Sequence, residues 1–273
     1  MKRGIRRSPL SRIGAPGHES HVDAACDCRL LVWVDSMDVY WLEQTERDVP
    51  DGNGWLSGQE AGFLDGLHIA QRRSHWRLGR WTAKRALAIY SHSADSLPAL
   101  ARIEIRRTPC GAPDVYFDDK PAALTLSLSH RGDKAICAVA PPATELGCDL
   151  EMVEPRSNAF IADYFTVEEQ ALVGRHPAAD RPRILAALWS GKESALKALR
   201  AGLLLDTRCV IVGLEDISSG IREWSPLQVR YTGGRTFQGW WHHADGMVRT
   251  LVAAPPPAPP ILLMNRPATF SHA

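Results

Sequence analysis

Three carboxylates and two lysines fall at spacings that build a compact charged site. In the strand-like run Leu146-Gly147-Cys148-Asp149-Leu150-Glu151-Met152 the side chains alternate in direction, so Asp149 and Glu151 project from one face, where Gly147 leaves room beside them, and Leu146, Cys148, Leu150 and Met152 from the other. Two carboxylates side by side disfavour each other unless a cation lies between them. Downstream, Trp189, Glu193 and Lys197 recur at i, i+4 and i+8 and share one helix face. Lys192 falls instead on the apolar stripe between Leu188 and Leu196, where an ammonium must snorkel or meet an anion. Ser129-His130 closes an alternating strand. It reads either as a plain strand-end turn or as a place where backbone N–H groups, a hydroxyl and an imidazole take phosphate. Magnesium prefers one or two protein carboxylates together with phosphate oxygens, so these residue types suit metal-assisted phosphate chemistry.

The elements that position these residues are legible from pattern and punctuation. Arg29–Val34 reads as a strand. Ser57 with Glu60 forms a capping box that opens a short helix, and Thr166 with Glu169 forms another. A helix is predicted over about Gln71–Tyr90. It carries Arg73, Arg77, Arg80 and Lys84 on one face, four cations that turn either to solvent or to an anion. Short strands follow at Ile103–Ile105, Leu124–Ser129 and Lys134–Ala140. Glu145–Val153 is a further strand, and Ile184–Arg200 is an amphipathic helix stopped by Gly202. Four later strands are expected, at Cys209–Leu214, Leu227–Thr232, Thr236–Trp241 and Met247–Ala253. No repeat of fixed period is read from the sequence. The mixture predicts an α+β fold in two comparable halves, 29–140 and 141–254. A flexible leader at 1–28 precedes them, and a Pro-rich tail at 255–273 follows a polyproline break that ends any sheet.

Composition bounds the rest. The 273 residues carry a formal net charge of +1, with 45% hydrophobic and 23% charged residues, which does not describe a disordered polyelectrolyte. No apolar run approaches the ~18–20 residues of a membrane helix, and the balanced charge argues against nucleic acid as partner. Six scattered cysteines without CxxC spacing predict free thiols and a cytoplasmic setting. His18, His21, Cys26 and Cys28 match no common zinc spacing. Only six residues are lysine (2, 84, 120, 134, 192 and 197), so the fall of two of them beside Glu193 carries weight.

Taken in order, the motifs resemble the 4′-phosphopantetheinyl transferases of surfactin type. Ser127-Leu128-Ser129-His130 resembles their SH turn, Gly147-Cys148-Asp149-Leu150-Glu151 their G-x-D-x-E strand, and Trp189 to Lys197 their W-x-x-K-E-[SA]-x-x-K helix; Phe165-Thr166-Val167-Glu168-Glu169 resembles their F-[ST]-x-x-E segment. The resemblance implies two similar α+β halves with coenzyme A bound in the cleft between them. It implies magnesium-dependent transfer of the phosphopantetheine arm to a serine of an apo acyl or peptidyl carrier protein, with release of adenosine 3′,5′-bisphosphate. Carriers of fatty-acid, polyketide and peptide synthesis all belong to that substrate class. By the same resemblance Asp149, Glu151 and Glu193 are metal ligands, and Glu193 is the general base. Lys192 and Lys197 meet the phosphates, and Ser129 and His130 contact coenzyme A. Arg72 or Arg73, together with Arg80, contacts the nucleotide. A monomer is expected. The chain departs from the pattern at Gly111-Ala112-Pro113, where a lysine is common in place of Ala112; its contact is either missing or supplied by Arg106, Arg107 or Lys120. A magnesium-dependent pyrophosphate hydrolase and a non-catalytic carrier- or coenzyme A-binding relative are the alternatives.

Overall fold

The computed structural model describes residues 37–201, 205–215 and 224–264, all within one compact unit. The leader, the candidate zinc residues, the strand expected at Arg29–Val34 and the stop at Gly202 lie outside the described residues. In chain order, strand β1 (Tyr40–Thr45) precedes helices α1 (Gly58–Asp65), α2 (Ala70–Tyr90) and α3 (Leu97–Ala101). Strands β2 (Ile103–Arg107), β3 (Pro113–Phe117), β4 (Lys120–Pro121), β5 (Thr125–Arg131), β6 (Lys134–Ala140) and β7 (Glu145–Met152) follow. Helices α4 (Asn158–Tyr164), α5 (Val167–Gly174) and α6 (Arg181–Ala198) come next. Strands β8 (Val210–Leu214), β9 (Ser225–Tyr231), β10 (Arg235–Ala244), β11 (Met247–Ala254) and β12 (Ile261–Leu262) complete the fold. The class is α+β, with helices packed on mostly antiparallel sheets.

Both capping boxes form, and each does more than open a helix. The Glu60 carboxylate accepts from the Ser57 N–H at its own cap, from the Ile105 N–H of β2 at 3.3 Å, and from Lys84 Nζ of α2 at 2.5 Å. Glu169 repeats the arrangement, accepting from the Thr166 N–H, the Val212 N–H of β8 at 2.9 Å and Lys192 Nζ of α6 at 2.8 Å. Each lysine also donates to two carbonyls, Lys84 to Trp55 and Leu100, Lys192 to Thr207 and Val210. Each glutamate thus ties a short helix, a long helix and a strand into one unit. Removing one partner of so buried a pair typically costs about 3–5 kcal/mol, because the other charge is left desolvated. The cationic face of α2 is therefore neither a solvated stripe nor wholly anion-facing. Lys84 is consumed by Glu60, Arg73 by the carbonyls of Leu64 and Leu67, and Arg77 by those of Pro50, Asp51 and Gly52.

The strands form three ladders, ordered β12-β1-β6-β5, β7-β11-β10-β9-β8 and β2-β3-β4. Edge strands β5 and β7 meet without a backbone ladder. Their seam is closed by side chains instead, the Cys148 N–H donating to Ser127 Oγ at 2.9 Å and Ser129 Oγ donating to Asp149 Oδ1 at 2.7 Å. Apolar contact supports the seam from below, where Ile136 and Ala138 of β6 pack with Leu146, Cys148 and Leu150 of β7 and Leu251 of β11. Separate cores lie under α2 (Leu42, Leu87, Ile105, Leu126) and α6 (Ile184, Leu188, Val212, Phe237).

Two expectations change. The proline run does not end the sheet: Ile261 and Leu263 donate to the Val39 and Trp41 carbonyls, so β12 pairs in parallel with β1, and Leu263 is buried in the core under α2. Proline lacks an N–H, but the residues between and after the prolines supply the donors. Gly147 was read as leaving room beside the carboxylates; what it admits is the α6 backbone, since a Cβ there would lie 1.7 Å from the Ser194 carbonyl oxygen.

Candidate functional site

A cavity of about 470 Å³ opens where α2, β5, β7 and α6 converge. β7 presents Asp149 and Glu151, both buried. α6 presents Glu193 and Lys197 one helical turn apart, and the end of β5 presents Ser129, His130 and Arg131. α2 contributes His75, Trp76 and Arg80. It can lie this close because Gly79 faces Leu128; a Cβ at Gly79 would already be 3.3 Å from that side chain.

The electrostatics follow from crowding. Asp149 Oδ1 accepts from Ser129 at 2.7 Å and from Lys197 Nζ at 2.8 Å, and Lys197 also donates to the Cys148 carbonyl at 3.0 Å. Asp149 Oδ2 is buried and has no hydrogen-bond partner among the described residues. Glu193 makes no hydrogen bond or ion pair among the described residues. Burial, then Asp149 and Glu151, push its carboxyl up to about 7, with Lys197 opposing. Burial and Asp149 also raise Glu151, against the pull of Arg131 at 3.6 Å and Arg156 at 3.0 Å. For Lys197 burial is the largest influence and acts downward, but Asp149, Cys148 and Glu193 together outweigh it and the ammonium ends above its ordinary value. Desolvation, His75 and Lys197 push the His130 imidazole down; its ring centroid lies 5.1 Å from that of His75.

Three carboxylates crowded together at the floor, with one buried oxygen unpaired among the described residues, suit a divalent cation. Among the described residues no three His, Cys, Asp or Glu side chains close into a ready-made cage. The set is open, as suits magnesium, which draws part of its shell from substrate phosphate and water. Asp149 Oδ2 and Glu193 are the free donors, whereas Glu151 would have to share its oxygens with Arg156.

Of the residues named from sequence, Asp149, Glu151, Glu193, Lys197, Ser129, His130 and Arg80 line this one cavity. Three do not. Lys192 is fully buried on Glu169, behind the helix face that carries Glu193. Arg73 caps α1, and Arg72 is exposed and lines no part of the cavity. Lys192 was misplaced because an apolar stripe accommodates an ammonium when a buried carboxylate lies opposite, and that carboxylate comes from another helix.

His75 was missed; it lies one turn before Gly79, the residue that marks the close-packed face of α2. Among the three substitutes for the absent lysine at Ala112, Arg107 lines the cavity, directly across the β2–β3 ladder from Pro113. Arg106 is engaged by Glu104 and Asp119. Arg107 also lines an adjoining hollow of about 310 Å³ with Phe63, Trp76 and Arg80, where the Phe63 and Trp76 rings lie 5.3 Å apart.

Residues 145–254 match the family model of the 4′-phosphopantetheinyl transferase superfamily. That span contains β7 with Asp149 and Glu151 and α6 with Glu193 and Lys197, and the match supports placing this region in the superfamily. Over 123 residues the chain is 31% identical to the 4′-phosphopantetheinyl transferase AcpT of Escherichia coli K12, a segment making 44% of this chain and 57% of that protein. The O157:H7 counterpart matches equally. The chain thus spans little more than half the length of these curated relatives. Among solved structures, a holo-(acyl-carrier-protein) synthase from Bacillus anthracis in complex with CoA (3′,5′-ADP) is 18% identical at a TM-score of 0.32, covering 39% of this chain and 97% of that one. The Helicobacter pylori holo-[acyl-carrier-protein] synthase in complex with coenzyme A is 15% identical at a TM-score of 0.26, covering 38% and 98%. No helix among the described residues is long and apolar enough to cross a membrane.

Proposed function

We propose that this chain transfers the 4′-phosphopantetheine arm of coenzyme A to a serine hydroxyl of an apo acyl or peptidyl carrier protein. The observation that carries the reading is the cluster of Asp149, Glu193 and Lys197 at the seam, with one unpaired Asp149 oxygen and a carboxyl at Glu193 that titrates at about 7. The superfamily match over the same strand and helix supports it. A single-chain, surfactin-type arrangement acting as a monomer is supported by the repeated Glu–Lys tie, which marks two related halves in one polypeptide.

In the proposed step the carrier serine oxygen forms a bond to the β-phosphorus of coenzyme A. The bond from that phosphorus to the bridging oxygen breaks, and adenosine 3′,5′-bisphosphate leaves with the electron pair. The serine proton passes to a Glu193 carboxylate oxygen, directly or through water. A general base titrating near the working pH suits that transfer. Lys197 and Arg80 face the phosphate charge, and Ser129 and Lys197 hold Asp149 in one orientation. A magnesium ion, when bound at Asp149 Oδ2 and Glu193, supplies neutralisation of the pyrophosphate. Positioning and electrostatics carry most of such a phosphoryl transfer.

The test is incubation of the purified chain with coenzyme A, magnesium and an apo carrier protein, read by intact mass. A gain of about 340 Da on the carrier serine is expected, the mass of the transferred arm. Release of free phosphopantetheine without carrier modification would mark a hydrolase. Coenzyme A binding without any turnover would mark a non-catalytic relative.

A further inference from the structure

Lys192 lies outside the cleft, yet it is sequence neighbour to the carboxylate at the centre of the cleft. Its ammonium has three donors, and three acceptors meet it: Glu169 Oε2 at 2.8 Å, the Thr207 carbonyl at 3.0 Å and the Val210 carbonyl at 2.5 Å. None of its surface is exposed. Glu169 is held in turn by the Thr166 and Val212 N–H groups, so the acceptor belongs to α5 and β8 jointly. Any rotation of α6 about its axis would strand a buried ammonium, which is costly. The next residue, Glu193, sits about 100° further round the helix and faces Asp149.

The N-terminal half holds the same device without the carboxylate. Trp81-Thr82-Ala83-Lys84-Arg85-Ala86 on α2 repeats Trp189-Ser190-Gly191-Lys192-Glu193-Ser194 on α6. Lys84 is likewise fully buried and meets Glu60, Trp55 O and Leu100 O. The residue after the lysine differs in kind: Arg85 bonds Asp95 at 2.7 Å, while Glu193 stands in the cleft. One repeat therefore fixes a helix that lends Arg80 to the cavity wall, and the other fixes a helix that carries a functional carboxylate.

We propose that Lys192 and Glu169 are positioning residues, which set the rotation of α6 so that Glu193 stands opposite Asp149. The proposal rests on the transfer reading above, in which Glu193 takes the serine proton. A displacement of about 1 Å at such a carboxylate costs on the order of 100-fold in rate.

The experiment compares Lys192→Met, Lys84→Met and Glu193→Gln in the full chain, reading thermal midpoint, coenzyme A affinity and transfer to an apo acyl carrier protein. Both lysine variants are expected to lose a comparable amount of thermal stability. Lys192→Met is expected to lower kcat roughly 10- to 100-fold while the coenzyme A Kd stays within about threefold; Lys84→Met is expected to keep kcat within about threefold and to act on the coenzyme A Kd instead, through Arg80, which lies 3.7 Å from Glu60. A coenzyme A Kd weakened about tenfold at unchanged kcat in Lys192→Met would place the ammonium on phosphate and overturn the proposal. Equal kcat losses in the two lysine variants would overturn it as well, by reducing the effect to stability. If Lys192→Met does not fold, the double variant Glu169→Gln/Lys192→Met, which removes both buried charges, is read by the same criteria. An inactive Glu193→Gln beside a fully active Lys192→Met defeats the positioning proposal alone, whereas a fully active Glu193→Gln defeats the transfer reading and the proposal with it.

Discussion

The Ser129 hydroxyl donates to Asp149 Oδ1 over 2.7 Å, and it does so across the line where two sheets meet without a ladder. An edge strand left unpaired exposes polar backbone that must be satisfied. Here the satisfaction comes from serine side chains, Ser127 to the backbone of β7 and Ser129 to its carboxylate. The serine expected to touch coenzyme A thus has a second task, to hold Asp149 so that Oδ2 is the oxygen left over for a cation.

Ser129→Ala removes that donor and leaves Lys197 as the only partner of Oδ1 among the described residues. A net hydrogen bond to a charged group is worth roughly 1.5–3 kcal/mol, so kcat/KM for transfer is expected to fall about 10- to 100-fold. The magnesium concentration for half-maximal rate should rise as well, because the carboxylate is free to rotate. A magnesium titration at fixed coenzyme A checks this. A change confined to the coenzyme A KM, with magnesium dependence unaltered, would assign the hydroxyl to phosphate and not to Asp149.

Glu193 makes cation binding dependent on pH. Its carboxyl is raised from 4.5 to about 7 in the folded chain. Between those values the folded state holds a proton that the unfolded state releases, so the contribution of this group to stability declines as pH rises from 4.5 through 7. A cation that needs the ionised form must displace that proton. Apparent magnesium affinity is therefore expected to climb about tenfold per pH unit below 7 and to level off above it. Calorimetry in buffers of different ionisation enthalpy should detect proton release at pH 6 and very little at pH 8.5. Affinity that is flat across this range would show that Glu193 does not hold the ion.

The sequence showed most of what the cleft needs, because strand and helix periodicity decide which side chains share a face. Asp149 with Glu151, and Glu193 with Lys197, come together for that reason. What it hid was set by contacts between distant segments. The partner of Lys192 lies on another helix, so an apolar-stripe lysine was open to two readings. The repeat of Trp81–Ala86 in Trp189–Ser194 is short, and conversion of Arg85 to Glu193 at its functional position masks it. The proline run concealed strand β12, since a strand of two residues has no periodicity to read. Capping boxes were legible at Ser57 and Thr166, but the reach of their glutamates into β2 and β8 was not.

Gly147 is where the two motifs of the site touch, and it offers a sharp test of how closely they are coupled. A methyl group at this position would meet the backbone of α6: the Ser194 carbonyl oxygen at 1.7 Å, its carbon at 2.7 Å and the Ala198 nitrogen at 3.0 Å. Backbone cannot swing aside as a side chain can, so α6 must lift from β7. That movement works against the contacts of Ser194 with Thr250, 2.7 Å between hydroxyls, and stretches both Lys197 bonds to β7. Overpacking of this kind costs typically about 1–3 kcal/mol. A shift of about 1 Å in Glu193 and Lys197 relative to Asp149 costs on the order of 100-fold in rate. Gly147→Ala is therefore expected to remain folded at 25 °C with a lowered thermal midpoint and to lose transfer activity far out of proportion to its stability. Gly58→Ala, where nothing lies within 4 Å of the added carbon, is the matched control and should change neither. A Gly147→Ala chain with unaltered midpoint and unaltered rate would mean that α6 does not rest on β7 at this point, and the placement of Glu193 over Asp149 would have to be redrawn.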